Sequence, residues 1–136
     1  LESSDLHWLK FPEDKQIQAA GVRGIYIGNF FRWDPNEHAE KMHREFGFEF
    51  ARQPFERTYR TMSNLDDMHE NGIHDYMKFV KFGYGRASDH ACQDVRDGYL
   101  TREQAIEMVK QYDHVKPRRD LERWLDYVEM GEAEFD

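Results

Sequence analysis

The sequence predicts a mainly α-helical protein, a compact bundle of about five to six helices with at most one short β-strand near residues 22–27. Three observations lead to this prediction: apolar residues recur at helical spacing, capping residues precede these segments, and Gly or Pro separates them. The chain has 136 residues, of which 39% are apolar and 15% aromatic, enough for one hydrophobic core. We therefore expect residues 1–136 to form a single domain.

The first third of the chain contains one predicted strand between two predicted helices. Residues 13–20 lie between a proline and a glycine, a pattern typical of a short helix. Residues 22–27 have the β-branched and aromatic character of a strand. Asp34 and Pro35 begin the next helix, because the carboxylate can accept hydrogen bonds from free amides and proline needs no amide partner there. This helix is expected to end at Gly47.

One face of this second helix carries Ala39, Met42, His43 and Phe46 at helical spacing. Such a stripe is more typical of packing than of function, so we expect it to be packed. Residues 48–59 follow and mix aromatic side chains with arginines around a proline. We interpret this segment as an extended loop.

The central helix is predicted over residues 73–82, where apolar side chains recur at i, i+3, i+4 and i+7. A Gly-Tyr-Gly break follows it. Ser88 or Asp89 can cap the next helix, which is expected to end at Gly98 because glycine readily adopts the left-handed conformation after a helix.

Two more helices complete the prediction. Thr101 and Gln104 form a capping-box pattern at the start of a helix that extends to Tyr112. Residues 118–128 form the last helix, with its leucines, tryptophan and final valine on one side.

Charge and cysteine content argue against several classes of function. The chain carries 27 acidic and 19 basic residues, and its net charge of −8 repels nucleic-acid backbones. Residues 101–128 have the element lengths of a helix-turn-helix regulator but no basic face. A single cysteine, Cys92, excludes an internal disulfide, and no apolar run approaches the ~20 residues needed to span a bilayer. We expect a cytoplasmic protein with no membrane span and no nucleic-acid partner.

Residues 71–98 carry more charged and aromatic side chains around a Gly-x-Gly break than core packing requires. Arg86 can grip a diphosphate or carboxylate with its planar guanidinium, and Asp89 can orient that group or accept from sugar hydroxyls. The loop at residues 83–86 precedes a helix, so its amides can approach a phosphate. A simple helix-helix turn explains the same glycines.

Two histidines in this region have the chemistry of proton carriers near neutral pH. His74 is followed by Asp75, which can fix the tautomer of an imidazole, and His90 lies further along. The spacing fits no metal-binding signature, so no metal site is predicted. We expect His74 to contact substrate or cap a helix, and Cys92 to be a small buried side chain.

Two aromatic residues, Tyr84 and Trp33, can stack on a base or a sugar ring. Trp33 follows the predicted strand and precedes a helix, a position where α/β proteins tend to bind ligands. Trp124 lies in a helical apolar stripe and is expected to be core.

Several segments resemble one known family, the N-acetyl sugar amidotransferases of bacterial lipopolysaccharide O-antigen biosynthesis. These are residues 71–76 (NGIHDY), 81–98 (KFGYGRASDHACQDVRDG) and 101–113 (TREQAIEMVKQYD). The likeness extends through residues 21–35 and 120–128, so it covers most of the chain. In that family, similar sequence segments lie in the C-terminal part of the enzyme.

The resemblance implies an enzyme that converts the acetamido group of a nucleotide-linked N-acetyl sugar to an acetamidino group. ATP with Mg would activate the amide oxygen as an adenylate with loss of pyrophosphate, and ammonia from a separate glutaminase subunit would displace AMP. Members resemble ATP pyrophosphatases, with a Ser-Gly-Gly-Lys-Asp-Ser-like loop and N-terminal cysteines in metal-ligand spacing. Neither occurs in residues 1–136.

We therefore interpret the chain as the excised C-terminal part of a larger α/β enzyme, with no catalytic residue or cofactor of its own and inactive alone. The resemblance implies that it forms a wall of the sugar-nucleotide pocket. The alternative is a non-catalytic helical module that docks a glutaminase or another partner. The candidate substrate-binding residues are Arg86 as the anion contact, its neighbours Asp89, Tyr84 and His90, and also His74 and Trp33.

Overall fold

A computed structural model describes residues 5–63 and 71–136. The chain divides into two compact units, Leu1–Trp33 and Asp34–Asp136. The described residues form seven α-helices, two short 3₁₀ helices and no β-strand. The predicted mainly α-helical fold is confirmed, while the single domain over residues 1–136 stays a prediction.

The N-terminal unit contains a 3₁₀ helix at His7–Leu9, helix α1 at Asp14–Ala20 and a second 3₁₀ helix at Ile27–Asn29. Helix α1 forms where the sequence predicts it. It begins with a reciprocal capping box between Glu13 and Gln16 and ends at a left-handed glycine. It buries none of its residues.

The segment at residues 22–27, predicted as at most a short strand, is not a strand. Tyr26 does have extended backbone, with φ −84° and ψ 108°, but a 3₁₀ helix begins at the next residue. A strand needs a second strand to pair its amides and carbonyls, and the described chain supplies none.

The second unit contains the remaining six helices of the described chain. Residues 48–63, the irregular connection, follow α2 and contain no helix or strand, as predicted for residues 48–59. The four-residue last helix is not predicted, because it is too short to show a helical period. The bounds are α2 at Pro35–Phe46, α3 at Asn71–Phe82, α4 at Arg86–Asp97, α5 at Arg102–Tyr112, α6 at Arg118–Val128 and α7 at Glu132–Phe135.

Two predicted helix starts are confirmed in atomic detail. The Asp34 carboxylate accepts from the amides of Asn36 and Glu37, both at 3.1 Å, and so caps α2. Thr101 and Gln104 form the predicted capping box of α5. These caps are local in sequence, which is why the sequence reveals them.

The predicted packed face of α2 is wrong in its main part. Met42 is 44% exposed and Phe46 is 68% exposed, and α2 buries none of its residues. Polar contacts hold the start of this helix instead: the buried Asp34 accepts from the hydroxyl of Tyr99 at 2.8 Å, and Asn36 donates to Asp94 at 2.8 Å.

Helix α4 begins at Arg86, two residues before the predicted cap at Ser88 and three before Asp89. Its cap comes from a distant residue, Asp113, which follows α5. The Asp113 carboxylate accepts from the amide of Gly85 at 2.8 Å, and from the amide and hydroxyl of Ser88 at 3.2 and 2.6 Å. A carboxylate also complements the positive end of the helix dipole.

The apolar core lies where α3 packs on α6. Ile73, Leu121 and Leu125 are buried there, and Trp124 and Phe135 pack against them. Helix α4 packs on α5, and these two helices bury alanines at 87, 91 and 105. The predicted apolar side of α6 is confirmed at its two leucines and its tryptophan.

Candidate functional site

Charged side chains fill a second buried region of the Asp34–Asp136 unit. Buried charges are costly unless they are paired or hydrogen-bonded, so their partners identify what they hold in place. The buried polar and charged residues are Asp34, Arg57, Thr58, Arg60, Asp75, Asp94 and Asp113.

Arg57 ties the irregular connection to two helical segments. Only 2% of the residue is exposed. Its guanidinium donates to the backbone carbonyls of Asp75 at 3.2 Å, Asp113 at 2.6 Å and Val115, and lies 5.3 Å from the ring centroid of Tyr76. Burial lowers the pKa of Arg57, while the two nearby carboxylates oppose this. One side chain therefore joins the connection to α3 and to the end of α5.

A second buried arginine joins the connection to α4. Arg60 donates to Asp94 at 2.6 Å, and both side chains are buried. The same carboxylate accepts from Asn36 at 2.8 Å and from the hydroxyl of Tyr59. Burial and the hydrogen bond to Asp94 raise the pKa of Tyr59, which therefore stays protonated at neutral pH.

Arg86, the predicted anion contact, already forms an ion pair with a carboxylate of its own chain. Its Nε lies 2.9 Å from Asp75 Oδ2, and its Nη2 lies 2.7 Å from Asp75 Oδ1. This bidentate contact raises the pKa of Arg86 despite partial burial. His74 contacts the same carboxylate through Nδ1 at 3.1 Å but is itself largely exposed.

His90 is held as a neutral imidazole. Its Nδ1 lies 2.7 Å from the hydroxyl oxygen of Thr58. Burial lowers the pKa of His90 to about 4, with help from the positive charges of Arg60 and Arg86. At neutral pH the ring is therefore uncharged, and its second nitrogen, Nε2, is a hydrogen-bond donor or acceptor according to the tautomer.

Two further candidates, Tyr84 and Asp89, meet at a lysine. The ammonium of Lys78 contacts the carboxylate of Asp89 and lies 4.5 Å from the ring centroid of Tyr84. The first contact is an ion pair and the second a cation–π contact. The structure thus explains both residues by one local cluster on α3 and α4.

A cavity of about 580 Å³ lies within the Asp34–Asp136 unit. This volume is in the range of ligand-binding clefts. Its lining comes from the irregular connection and from α3, α4 and α6, and arginines outnumber carboxylates although the whole chain is acidic. The charged lining residues are Arg52, Arg57, Arg86 and Arg119 with Glu56, Asp75 and Asp120.

The cavity brings together only part of the predicted site. Arg86 and His90 line it. Tyr84, Asp89 and His74 are not among the residues that line it, and Trp33 belongs to the N-terminal unit, where it is 64% exposed. Substrate contact by any of these residues stays a prediction.

Sequence reasoning missed the arginines of the connection. Residues 52–60 contain three arginines among aromatic residues and a proline, a density that an ordinary solvent-exposed loop does not need. This density of arginines in the sequence indicates that some of them have a structural or binding role. It does not reveal the partners, because the hydrogen bond from Arg57 to the carbonyl of Asp113 spans 56 residues of sequence.

The Gly83–Arg86 loop does not support the phosphate-approach interpretation. The amides of Gly85 and Ser88 already donate to Asp113. A Cβ atom at Gly85 would lie only 2.8 Å from Arg57 Nη2. Gly83 has φ +78°. The glycines therefore serve a tightly packed turn between α3 and α4.

In residues 5–63 and 71–136, no group of three or more His, Cys, Asp or Glu side chains is arranged to hold a metal ion. None of the helices in that part of the chain combines the length and the apolar character needed to cross a bilayer.

The fold and the cavity define a helical unit with a cavity lined by four arginines. Residues 56–136, more than half of the chain, match the family described as LPS biosynthesis protein WbpG-like, C-terminal domain. The chain therefore belongs to this family of lipopolysaccharide biosynthesis proteins. Among curated proteins, none matches the chain. The match includes three of the cavity arginines, Arg57, Arg86 and Arg119.

Proposed function

We propose that the chain is the C-terminal part of an ATP-dependent amidotransferase that acts in O-antigen biosynthesis. The reaction replaces the oxygen of an acetamido group on a nucleotide-linked sugar with nitrogen from ammonia, which a glutaminase subunit supplies. Membership in a lipopolysaccharide biosynthesis family supports this proposal. The observation that carries it is the cavity, whose lining contains more arginines than carboxylates in a chain of net charge −8.

The described residues do not fit the phosphates of ATP in the way a glycine-rich loop does. The only Gly-x-Gly turn of the sequence lies before α4, and Asp113 already occupies its amides at Gly85 and Ser88. In this proposal, ATP with Mg binds to another part of the complete enzyme. The role of this chain is to bind and orient the sugar nucleotide.

Two cavity residues are arranged for that role. Asp75 fixes the Nε and Nη2 edge of Arg86, while Nη1 makes no hydrogen bond in the described part of the chain and is available to a ligand. Thr58 fixes one side of the His90 ring. Because the His90 pKa is low, the ring approaches a ligand without charge. Both groups are therefore held before substrate arrives, which reduces the entropic cost of binding.

The test uses the complete enzyme with its glutaminase, ATP, Mg and a nucleotide-linked N-acetyl sugar, and detects the acetamidino product by mass spectrometry. Replacing Arg86 alone would leave the buried Asp75 without its partner, so the informative variant is Arg86→Gln combined with Asp75→Asn. We expect kcat/KM to fall by at least about tenfold with the fold retained.

The control is Arg96→Gln, which removes the same charge from an exposed residue of α4 that does not line the cavity. It should leave turnover unchanged. A complete enzyme that forms no acetamidino product from any nucleotide-linked N-acetyl sugar would contradict the proposal. Full turnover by the double variant would show that this cavity does not bind the substrate.

A second candidate is a module that docks the glutaminase. Helix α3 favours it, because Met77 and Val80, which are three residues apart on one face, are both exposed. Exposed apolar groups of this kind often mark protein contacts. Val80→Lys in the complete protein should weaken glutaminase binding, measured by analytical ultracentrifugation, if this surface is the contact. Unchanged binding would exclude it.

A further inference from the structure

The four cavity arginines fall into two classes. Arg57 and Arg86 are engaged by carbonyls and by a carboxylate of the chain itself. Arg52 and Arg119 are exposed, and neither forms a hydrogen bond or an ion pair with any described residue. An exposed guanidinium group that makes no hydrogen bond with the described residues can bind an anion in the cavity through two parallel hydrogen bonds.

Arg57 adds a buried donor that also lacks an acceptor. Its Nε is buried and makes no hydrogen bond with the described residues, whereas its two terminal nitrogens do. The Nε of Arg60 is in the same state, but Arg60 does not line the cavity. Because the Arg57 Nε is buried, an oxygen in the cavity cannot reach it, so the anion contacts of the cavity come from Arg52 and Arg119.

The N-terminus of α6 faces the same cavity. Arg119 and Asp120, the second and third residues of this 11-residue helix, both line it. The residue before the helix, Pro117, provides no side-chain cap, so the first amides of α6 are not capped from that position. Such amides, together with the helix dipole, favour a bound anion. Asp120 opposes an anion, although the amide of Gly72 donates to its carboxylate at 3.0 Å.

We propose that the cavity binds a phosphoanion between Arg52 and Arg119. The phosphoanion is the diphosphate of the nucleotide-linked sugar, and this identity rests on the proposed function. Arg86 then contacts an uncharged part of the ligand, because its Nε and Nη2 edge is already paired with Asp75. The strongest anion contacts thus come from residues that the sequence resemblance does not single out.

The test is calorimetric titration of the 136-residue chain at low salt with four probes: inorganic pyrophosphate, uridine diphosphate, uridine diphosphate N-acetylglucosamine and free N-acetylglucosamine. The variants are Arg52→Gln and Arg119→Gln, with Arg96→Gln as the matched control. All three arginines are exposed and make no ion pair with residues 5–63 and 71–136, so the variants should fold like the parent, which circular dichroism verifies.

We expect pyrophosphate and both nucleotides to bind the parent chain and free N-acetylglucosamine not to bind. Each cavity variant should bind these phosphoanions at least about tenfold more weakly, with Arg96→Gln unchanged. Affinity should also fall as salt is added, because exposed charges are screened.

The other outcomes separate this inference from the proposed function. If the nucleotide sugar binds and neither cavity variant weakens it, the phosphoanion site is wrong and the proposed function stands. If pyrophosphate binds through these arginines but the nucleotide sugar binds no more tightly, the phosphoanion site stands and the proposed ligand is wrong. If none of the phosphoanions binds the parent chain, the site is wrong.

Discussion

Two buried regions of the Asp34–Asp136 unit use opposite chemistry. The apolar cluster consists of Ile73, Leu121 and Leu125. The polar cluster consists of charged residues, and their hydrogen bonds join more segments of the chain than the apolar cluster does. Its members are Arg57, Arg60, Asp75, Asp94 and Asp113. Helix α3 contributes to both, with Ile73 and Asp75 two residues apart.

The two clusters differ in how strongly their interactions depend on the direction and position of individual atoms. Apolar packing depends mainly on the area and volume that are buried, so it tolerates side chains of similar size. Buried hydrogen bonds and ion pairs depend on atomic geometry, and they often add little net stability compared with an apolar core. Because Arg57 and Asp75 of the polar cluster line the cavity, and Asp75 holds the cavity residue Arg86, we infer that the polar cluster orients the cavity groups more than it adds stability.

The strongest way to break the polar cluster is Arg57→Met. Three carbonyls would lose their donor, those of Asp75 and Asp113 in buried contacts and that of Val115 in a part-buried one, and we expect a loss of about 3–5 kcal/mol in the free energy of unfolding. Arg57→Lys should recover less than half of this loss, because an ammonium cannot reproduce the planar fork. Urea denaturation followed by circular dichroism measures both.

Arg96→Met is the control for this pair, since Arg96 is exposed and should change stability by no more than about 0.5 kcal/mol. A loss below about 1 kcal/mol for Arg57→Met would show that the polar cluster does not hold the connection to the helices.

In the apolar cluster, Leu121→Ala should cost about 2–5 kcal/mol, because Leu121 is almost fully buried and the truncation leaves a cavity. Leu121→Met, which roughly conserves volume, should cost less than about 1.5 kcal/mol. The comparison between the clusters therefore turns on the conservative variants: the apolar cluster tolerates one and the polar cluster does not. Equal losses for Leu121→Met and Arg57→Lys would contradict this difference.

The sequence predicts structural features made by neighbouring residues better than features made by residues far apart in the chain. The caps at Asp34 and Thr101 are made by neighbours in sequence, so local patterns predict the starts of α2 and α5. The start of α4 is set by Asp113, which lies 28 residues beyond Gly85, and the local pattern at Ser88 placed it too late. The arginine side of the cavity depends on pairings across 11 to 58 residues, which no local pattern records.

His90 makes the polar cluster sensitive to pH. Its pKa in the folded chain is about 4, against an ordinary value of 6.5, so between these pH values the unfolded state binds more protons. Stability should therefore fall as pH decreases through this window, by about 2–3 kcal/mol from this group. Burial is the main cause, followed by Arg60 and Arg86, while Asp94 and Asp89 oppose them.

Urea midpoints of the parent and of His90→Asn at pH 7 and pH 4.5 isolate this contribution, because the carboxylates titrate alike in both proteins. His90→Asn should remove most of the difference between the two pH values. An equal loss of stability in parent and variant would mean that His90 is not buried in a cationic environment.

The smallest expected effect comes from Gly85→Ala, which perturbs the polar cluster without removing any of its members. A Cβ at this position would lie 2.8 Å from both Arg57 Nη2 and Asp113 Oδ1, although the backbone φ of −121° suits any residue. We expect a loss of about 1–3 kcal/mol in the free energy of unfolding, which urea denaturation measures. Gly131→Ala is the matched control, because φ is −80° there and no atom lies within 4 Å of the added Cβ.

The same variant separates the two interpretations of the Gly-Tyr-Gly turn. If the turn is a packed connection, Gly85→Ala loses stability while the folded protein binds pyrophosphate as the parent does, because the proposed anion contacts lie at Arg52 and Arg119. If its glycines instead admit a phosphate, the variant keeps its stability and loses affinity. The short distances from Gly85 to Arg57 and Asp113 favour the first result, since the space that a phosphate would need is already filled by side chains of the polar cluster.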